Sequence, residues 1–127
     1  METIQKVIFK IILLLFIQSC RTATCEESIK HNSDFDVQLI ITDIYSNGNI
    51  INIDGISVIN KKPINFYYNS DWFRDIGEKF LISDTLIKKK GEPIIRIYRK
   101  NERWSFTYKC EKNAQGQDIV RSENVRF

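Results

Sequence analysis

The chain is predicted to fold as a mainly β protein, a small antiparallel sheet or partly open barrel with one short helix, after an N-terminal signal peptide. Three observations lead there. Short runs rich in Ile, Val, Tyr and Phe recur between Gly-, Asn- and Pro-containing turns from Asp36 onward. Residues 103–110 alternate strictly, with Trp104, Phe106, Tyr108 and Cys110 on one side and Arg103, Ser105, Thr107 and Lys109 on the other. Only one segment of the domain, Asn69 to Gly77, carries both a helix start and a helix stop.

The leader comes first in the chain. Lys6 and Lys10 precede the unbroken apolar run Ile11-Ile12-Leu13-Leu14-Leu15-Phe16-Ile17, the pattern of a secretory signal peptide. A membrane-spanning helix needs about 20 apolar residues, more than this run offers. Residues 1–19 are therefore read as a signal peptide. The segment closes on Ile17-Gln18-Ser19-Cys20, which resembles the lipobox of bacterial lipoproteins. That resemblance implies that Cys20 carries a lipid and becomes the first mature residue. It places the protein in the bacterial envelope, on the outer membrane, held there by its acyl chains. Each buried methylene contributes roughly 0.8 kcal/mol, so two or three chains anchor durably where one does not. Ordinary signal-peptidase cleavage near Ala23, which would release a soluble protein, and an uncleaved anchor are the alternatives.

After Cys20 there is room for one domain with a modest core. The leader removes two of the 19 basic and one of the 16 acidic residues, leaving a net charge of about +2, too small to drive nucleic-acid or membrane attraction by bulk charge. Residues 20–35 are polar and lack apolar periodicity, so they read as a lipidated tether, and His31, the only histidine, reads as solvated within it. Residues 36–127 form the β-rich domain. In an exported, oxidising setting Cys25 and Cys110 are an even remainder. A disulfide between them would close most of the domain, which the chain-entropy model values at about 4 to 5 kcal/mol. The alternative is a buried Cys110 thiol and a free Cys25.

Within the domain, Val37 to Tyr45 is the first strand, Ser46-Asn47-Gly48-Asn49 a hairpin turn, and Ile50 to Ile53 its partner. Asp54-Gly55 is expected to turn the chain again before a strand over Ile56 to Ile59, and Ile64 to Tyr68 follows Pro63. Four short strands in succession suggest a meander or a barrel of OB or SH3 size. Ser70 or Asn69 suits the N-cap of a short helix, with Asp71 at its positive end and Gly77 at its stop, while Trp72, Phe73 and Ile76 are placed to plug the barrel.

Ser83-Asp84-Thr85-Leu86-Ile87-Lys88, the lysine- and glycine-containing turn to Gly91, and Ile95-Arg96-Ile97-Tyr98 together resemble small Bacteroidota-type lipoproteins of unknown function. Those carry a Gly-Asp-Ser-hydrophobic-x-Lys-like stretch before such a turn and strand, and here Ser83 stands at the glycine and Thr85 at the serine. The likeness implies a location and lends no mechanism. The residues themselves give Asp84 a structural part, bonding nearby backbone amides at a tight corner. Ile94 to Arg99 and Arg103 to Cys110 form the clearest hairpin. The tail from Glu111 is polar, and Asp118 to Arg121 and Asn124 to Phe127 are expected as weak edge strands or a frayed end.

The candidate ligand-facing residues are Lys88, Lys90, Arg96, Arg99 and Arg103, basic positions around that hairpin with Tyr98 and Trp104 nearby. They would suit an anionic envelope polymer, and export argues against nucleic acid. As a solvated face and charged edge they would only protect the sheet. No nucleophile elbow, phosphate loop or zinc motif is present in the sequence, and two cysteines with one distant histidine do not supply zinc ligands, so neither cofactor nor metal is expected. The expected function is a non-catalytic, lipid-anchored binding or interaction module of the cell envelope. An inhibitor or immunity-type protein against an envelope enzyme is the second hypothesis. A hydrolase using carboxylates among Asp54, Asp71, Asp75 and Asp84 is the third.

Overall fold

A computed structural model describes residues 1–18 and 24–127, and the expected lipidation position Cys20 lies outside them. Glu2–Gln18 is helical (α1). Among the described residues no helix is long and apolar enough to cross a membrane.

The fold is mainly β. Seven antiparallel strands form one open sheet: β1 (Val37–Asn47), β2 (Ile50–Ser57), β3 (Pro63–Asn69), β4 (Thr85–Lys88), β5 (Ile94–Arg99), β6 (Glu102–Lys112) and β7 (Asp118–Arg126). Their order is β3-β2-β1-β4-β5-β6-β7, two meanders joined where β4 pairs with β1. The β5–β6 hairpin is as the alternation required, with Ile97 opposite Trp104 and Ile95 opposite Phe106. The tail forms a single strand, β7, paired with β6 along nine positions.

The first hairpin turns through Gly48 at φ +57° and Asn49, between the paired Asn47 and Ile50. A positive φ at the first of two loop residues is the II′ geometry, which glycine adopts without strain. The turn expected at Asp54-Gly55 does not form, and β2 runs straight through it. Gly55 instead faces Ile41 where Thr42 bulges out of β1, and a Cβ there would lie 2.5 Å from the Ile40 carbonyl oxygen. Glycine at this position answers a close approach of two strands rather than a change of direction. The bulge also resets the alternation of β1, so Val37, Leu39 and Ile41 point inward and the next inward side chain is Ile44.

The expected short helix is α3 (Asp71–Ile76), capped by the Ser70 hydroxyl accepting from the Trp72 amide and continued by a 3-10 turn over Gly77–Lys79. Trp72, Phe73 and Ile76 are fully buried or nearly so. Trp72 stacks on Tyr108 of β6 at 5.2 Å and donates to the Ser122 hydroxyl of β7, while Phe73 packs edge-on against Phe66 and Tyr68 of β3. In a flat sheet β3 and β7 would lie six strand spacings apart, about 29 Å. One helix of less than two turns touches both, so the sheet curls around α3 into a partly open barrel.

Of the stretch read as a tether, the described residues 24–35 are largely folded. Cys25–Asn32 forms α2, with Thr24 and Glu27 in a reciprocal capping box. Cys25 and Cys110 are joined in a disulfide with Cα atoms 6.0 Å apart, which fastens α2 to β6. Phe35 is buried against Phe66, Tyr68, Trp72 and Phe73, so the core begins before Asp36. One apolar residue in the helix, Ile29, packs on that core. Polar composition conceals such an element, because the disulfide and the cap hold it where an apolar stripe would otherwise be needed.

Candidate functional site

The five basic candidates do not share a surface. The strand register sends Lys88 and Arg99 to the inner face of the sheet with Leu86, Ile95 and Ile97, and sends Arg96 and Arg103 to the outer face. Lys88 is fully buried: its ammonium donates to the carbonyls of Phe35 at 2.8 Å and Lys89 at 2.6 Å and lies 4.6 Å from the Phe35 ring centroid. Burial holds its pKa below the usual lysine value, against the opposing pull of Asp36, Asp34 and Glu92. Arg96 pairs with Glu92 at 3.3 Å, Lys90 lies 4.0 Å from Asp34, and the Arg103 guanidinium sits 5.7 Å from the Tyr98 ring centroid. A strand sends neighbouring residues to opposite faces, so closeness in sequence does not make a patch.

Arg99 is the exception in consequence. From the last residue of β5 it donates Nε to Asp84 Oδ1 at 2.7 Å and Nη2 to Asp84 Oδ2 at 3.0 Å, and a further Nη2 bond reaches the Lys79 carbonyl. The hydrogen bond to Asp84 raises the Arg99 pKa more than burial lowers it, and the guanidinium is charged at every accessible pH. Asp84, 1% exposed, also accepts from the Leu81 amide at 2.8 Å. This is the corner-holding part that the sequence assigned to Asp84.

Between Leu81 and Asp84 the chain makes a four-residue turn closed by Asp84 N–H to the Leu81 carbonyl at 3.1 Å. Ser83 is at φ +76°, the left-handed third position of a type II turn, where glycine is the favoured residue. The turn is also seated on the bulged region of β1, with Ser83 N–H donating to the Ile41 carbonyl and Ile41 N–H to the Asp84 carbonyl. At its tip Leu81 and Ile82 are 53% and 59% exposed. Two apolar side chains are therefore held out toward solvent on a backbone fixed from three directions.

Two clefts flank this turn and share Leu81 and Arg99. The larger, about 720 Å³, lies between the turn and the β5–β6 connection at Tyr98, Lys100 and Glu102. The smaller, about 480 Å³, is more apolar and is lined by Lys79, Trp104, Phe106 and Asn124. Trp104 donates its indole N–H to Glu102 at 3.1 Å, which fixes the ring that walls this cleft.

The carboxylates considered for hydrolysis are dispersed. Asp54 lies on the outer face of β2, Asp71 pairs with Arg74 on α3, Asp75 is exposed on the same helix, and Asp84 is taken up by Arg99. Among the described residues no three His, Cys, Asp or Glu side chains gather as metal ligands. The exposed Leu81-Ile82 tip had no separate signal in the sequence, because a Leu-Ile pair before a polar corner also reads as the end of a strand. Compared with known proteins, the chain matches no family model, no curated protein and no solved structure.

Proposed function

We propose that this chain is an exported, lipid-anchored protein of the bacterial outer membrane whose β domain is a non-catalytic interaction module, and that the Leu81–Asp84 turn with its two clefts is the surface that meets a partner protein. The observation that carries the reading is the pairing of exposure with fixation: Leu81 and Ile82 are more than half exposed while Asp84 and Arg99 hold the turn beneath them. An apolar contact that is already ordered forfeits little conformational entropy on binding. The cleft beside it presents Trp104 and Arg99, residue types that interfaces favour.

The same feature favours an inhibitor or immunity-type protein as the second reading, because a rigid protruding turn suits insertion into a partner's cleft. An anionic polymer is the weaker ligand, since Lys88 is buried, Arg99 is engaged by Asp84, Arg96 and Arg103 lie on the outer face, and Lys90 lies in the β4–β5 turn beside Asp34.

The test places a photo-crosslinking residue at Ile82 of the full chain in its own envelope. The expected result is an adduct with one identifiable envelope protein that disappears when Leu81→Asp is added, in protein that still folds. Adducts unchanged by Leu81→Asp, or none, would overturn the assignment of this surface. Turnover of a cell-wall substrate that fails on Asp→Asn substitution would overturn the non-catalytic reading.

A further inference from the structure

The outer face of the sheet is divided in character. On β6 and β7 it is a charged lattice, in which Lys109 pairs with Glu111 and Glu123, and Arg121 with Glu111. On β1 to β3 it carries no cation in its two central rows. One row, across the three strands, is Tyr45, Asn52 and Tyr67, and the next is Asp43, Asp54 and Asn65.

The two tyrosines are 59% and 58% exposed. They stand on strands separated by β2, about 10 Å apart by two strand spacings, so they do not pack face to face and each leaves its ring open. Between them the amides are pre-ordered. Asn65 Nδ2 donates to Asn52 Oδ1 and to Asp54 Oδ1, both at 2.8 Å. That fixes the orientation of Asn52, turning its amide N–H groups away from Asn65, and leaves the second oxygen of Asp54 as an acceptor beside them. Asn52 thus stands between the two tyrosines with its donors free of Asn65, and Asp54 offers an acceptor in the adjoining row, two residues along β2.

From this we propose that the outer face of β1–β3 is a binding platform for a neutral glycan chain. Sugar rings carry an apolar face of C–H groups that lies on the electron-rich face of an aromatic ring, and their adjacent hydroxyls need a donor and an acceptor side by side. Tyr45 and Tyr67 supply the two stacking positions, Asn52 a polar contact between them, and Asp54 an acceptor in the adjoining row. Anionic polymers, nucleic acid included, are repelled by Asp43 and Asp54. A protein partner is a poorer match, because the centre of the plate is an amide and a carboxylate, where a protein interface places its desolvated apolar core. This platform lies outside the Leu81–Asp84 surface and does not depend on it.

The test is calorimetric titration of the detergent-solubilised full chain with cellohexaose, mannohexaose and chitohexaose, with heparin as the anionic comparison. At least one neutral hexasaccharide is expected to bind. Tyr45→Ala and Tyr67→Ala should each weaken it about tenfold or more, the loss expected of removing an aromatic anchor, whereas Tyr45→Phe and Tyr67→Phe keep the stacking face and the affinity. Leu81→Asp should leave glycan binding unchanged. The proposal is overturned if none of the three sugars binds, if heparin alone binds, or if binding survives both alanine variants. Loss of sugar binding in Leu81→Asp with retention in the tyrosine variants would move the glycan to the other surface and equally overturn it.

Discussion

Arg99 grips both carboxylate oxygens of Asp84, Nε to Oδ1 at 2.7 Å and Nη2 to Oδ2 at 3.0 Å. The acid is almost wholly buried and the arginine side chain is one quarter exposed. A pair in that position does little for net stability by its own attraction, but it is costly to break from one side. Asp84→Ala is therefore expected to destabilise by about 3 kcal/mol, since it strands the guanidinium and removes the acceptor of the Leu81 amide. The check is chemical denaturation of Asp84→Ala beside a double variant with Arg99→Met, in which part of the loss should return.

Ser83 occupies a backbone conformation that disfavours a side chain, at φ +76°. Relief of that strain should exceed the added freedom of glycine in the unfolded chain, so Ser83→Gly is expected to stabilise by about 0.5 to 1 kcal/mol. A rise in melting temperature checks it.

How far the sequence disclosed this architecture depends on the range of the interaction. Local signals were legible: the β5–β6 hairpin, the Ser70 cap of α3, the buried Trp72, Phe73 and Ile76, and the backbone-bonding part of Asp84. Gly55 was misread because one glycine serves either a turn or a close strand contact, and only the partner strand tells which. The pairing of β1 with β4 was not legible either. The connecting residues 70–84 cross the inner face through α3, and no local pattern encodes which strand they reach. The basic candidates were dispersed by register, while Tyr45, Asn52 and Tyr67 were gathered by it from three separate strands.

Two buried groups shape the alkaline response in opposite senses. Burial lowers the Lys88 pKa from 10.5, so the unfolded chain holds its proton longer, and stability rises as pH climbs from the lowered value toward 10.5. Lys88→Met should abolish that rise while changing stability at neutral pH by less than about 2 kcal/mol, because a lost desolvation cost offsets two carbonyls left without their donor.

Burial pushes the Tyr108 phenol up to about 12, with Asp71 and Asp75 adding to the shift and Arg74 opposing it. The folded state keeps this proton after the unfolded state has lost it. Its contribution is therefore complete below pH 10 and falls away between 10 and about 12. Tyr108→Phe keeps the stack on Trp72 and should flatten that limb, a difference of about 2 to 3 kcal/mol by pH 12. Denaturant titrations of both variants across pH 8 to 12 check the two slopes.

The Cys25–Cys110 bridge spans 85 residues and is expected to supply about 2 to 5 kcal/mol. Cys25→Ser should lower the melting temperature and free α2 first, since the helix buries no residue fully and its capping box alone cannot hold eight residues in place. Hydrogen exchange of the α2 amides, faster in Cys25→Ser or under reductant while β5 and β6 remain protected, checks the order of events.

Intact mass of the protein purified from membranes, beside a Cys20→Ser form, is the decisive test of the proposed attachment to the envelope. The expected mass is that of a chain beginning at Cys20 with a diacylglycerol-sized addition, lost in Cys20→Ser. An unmodified chain beginning near Ala23, or one that retains Met1, would contradict the lipid anchor and with it the proposed meeting of this domain with an envelope partner.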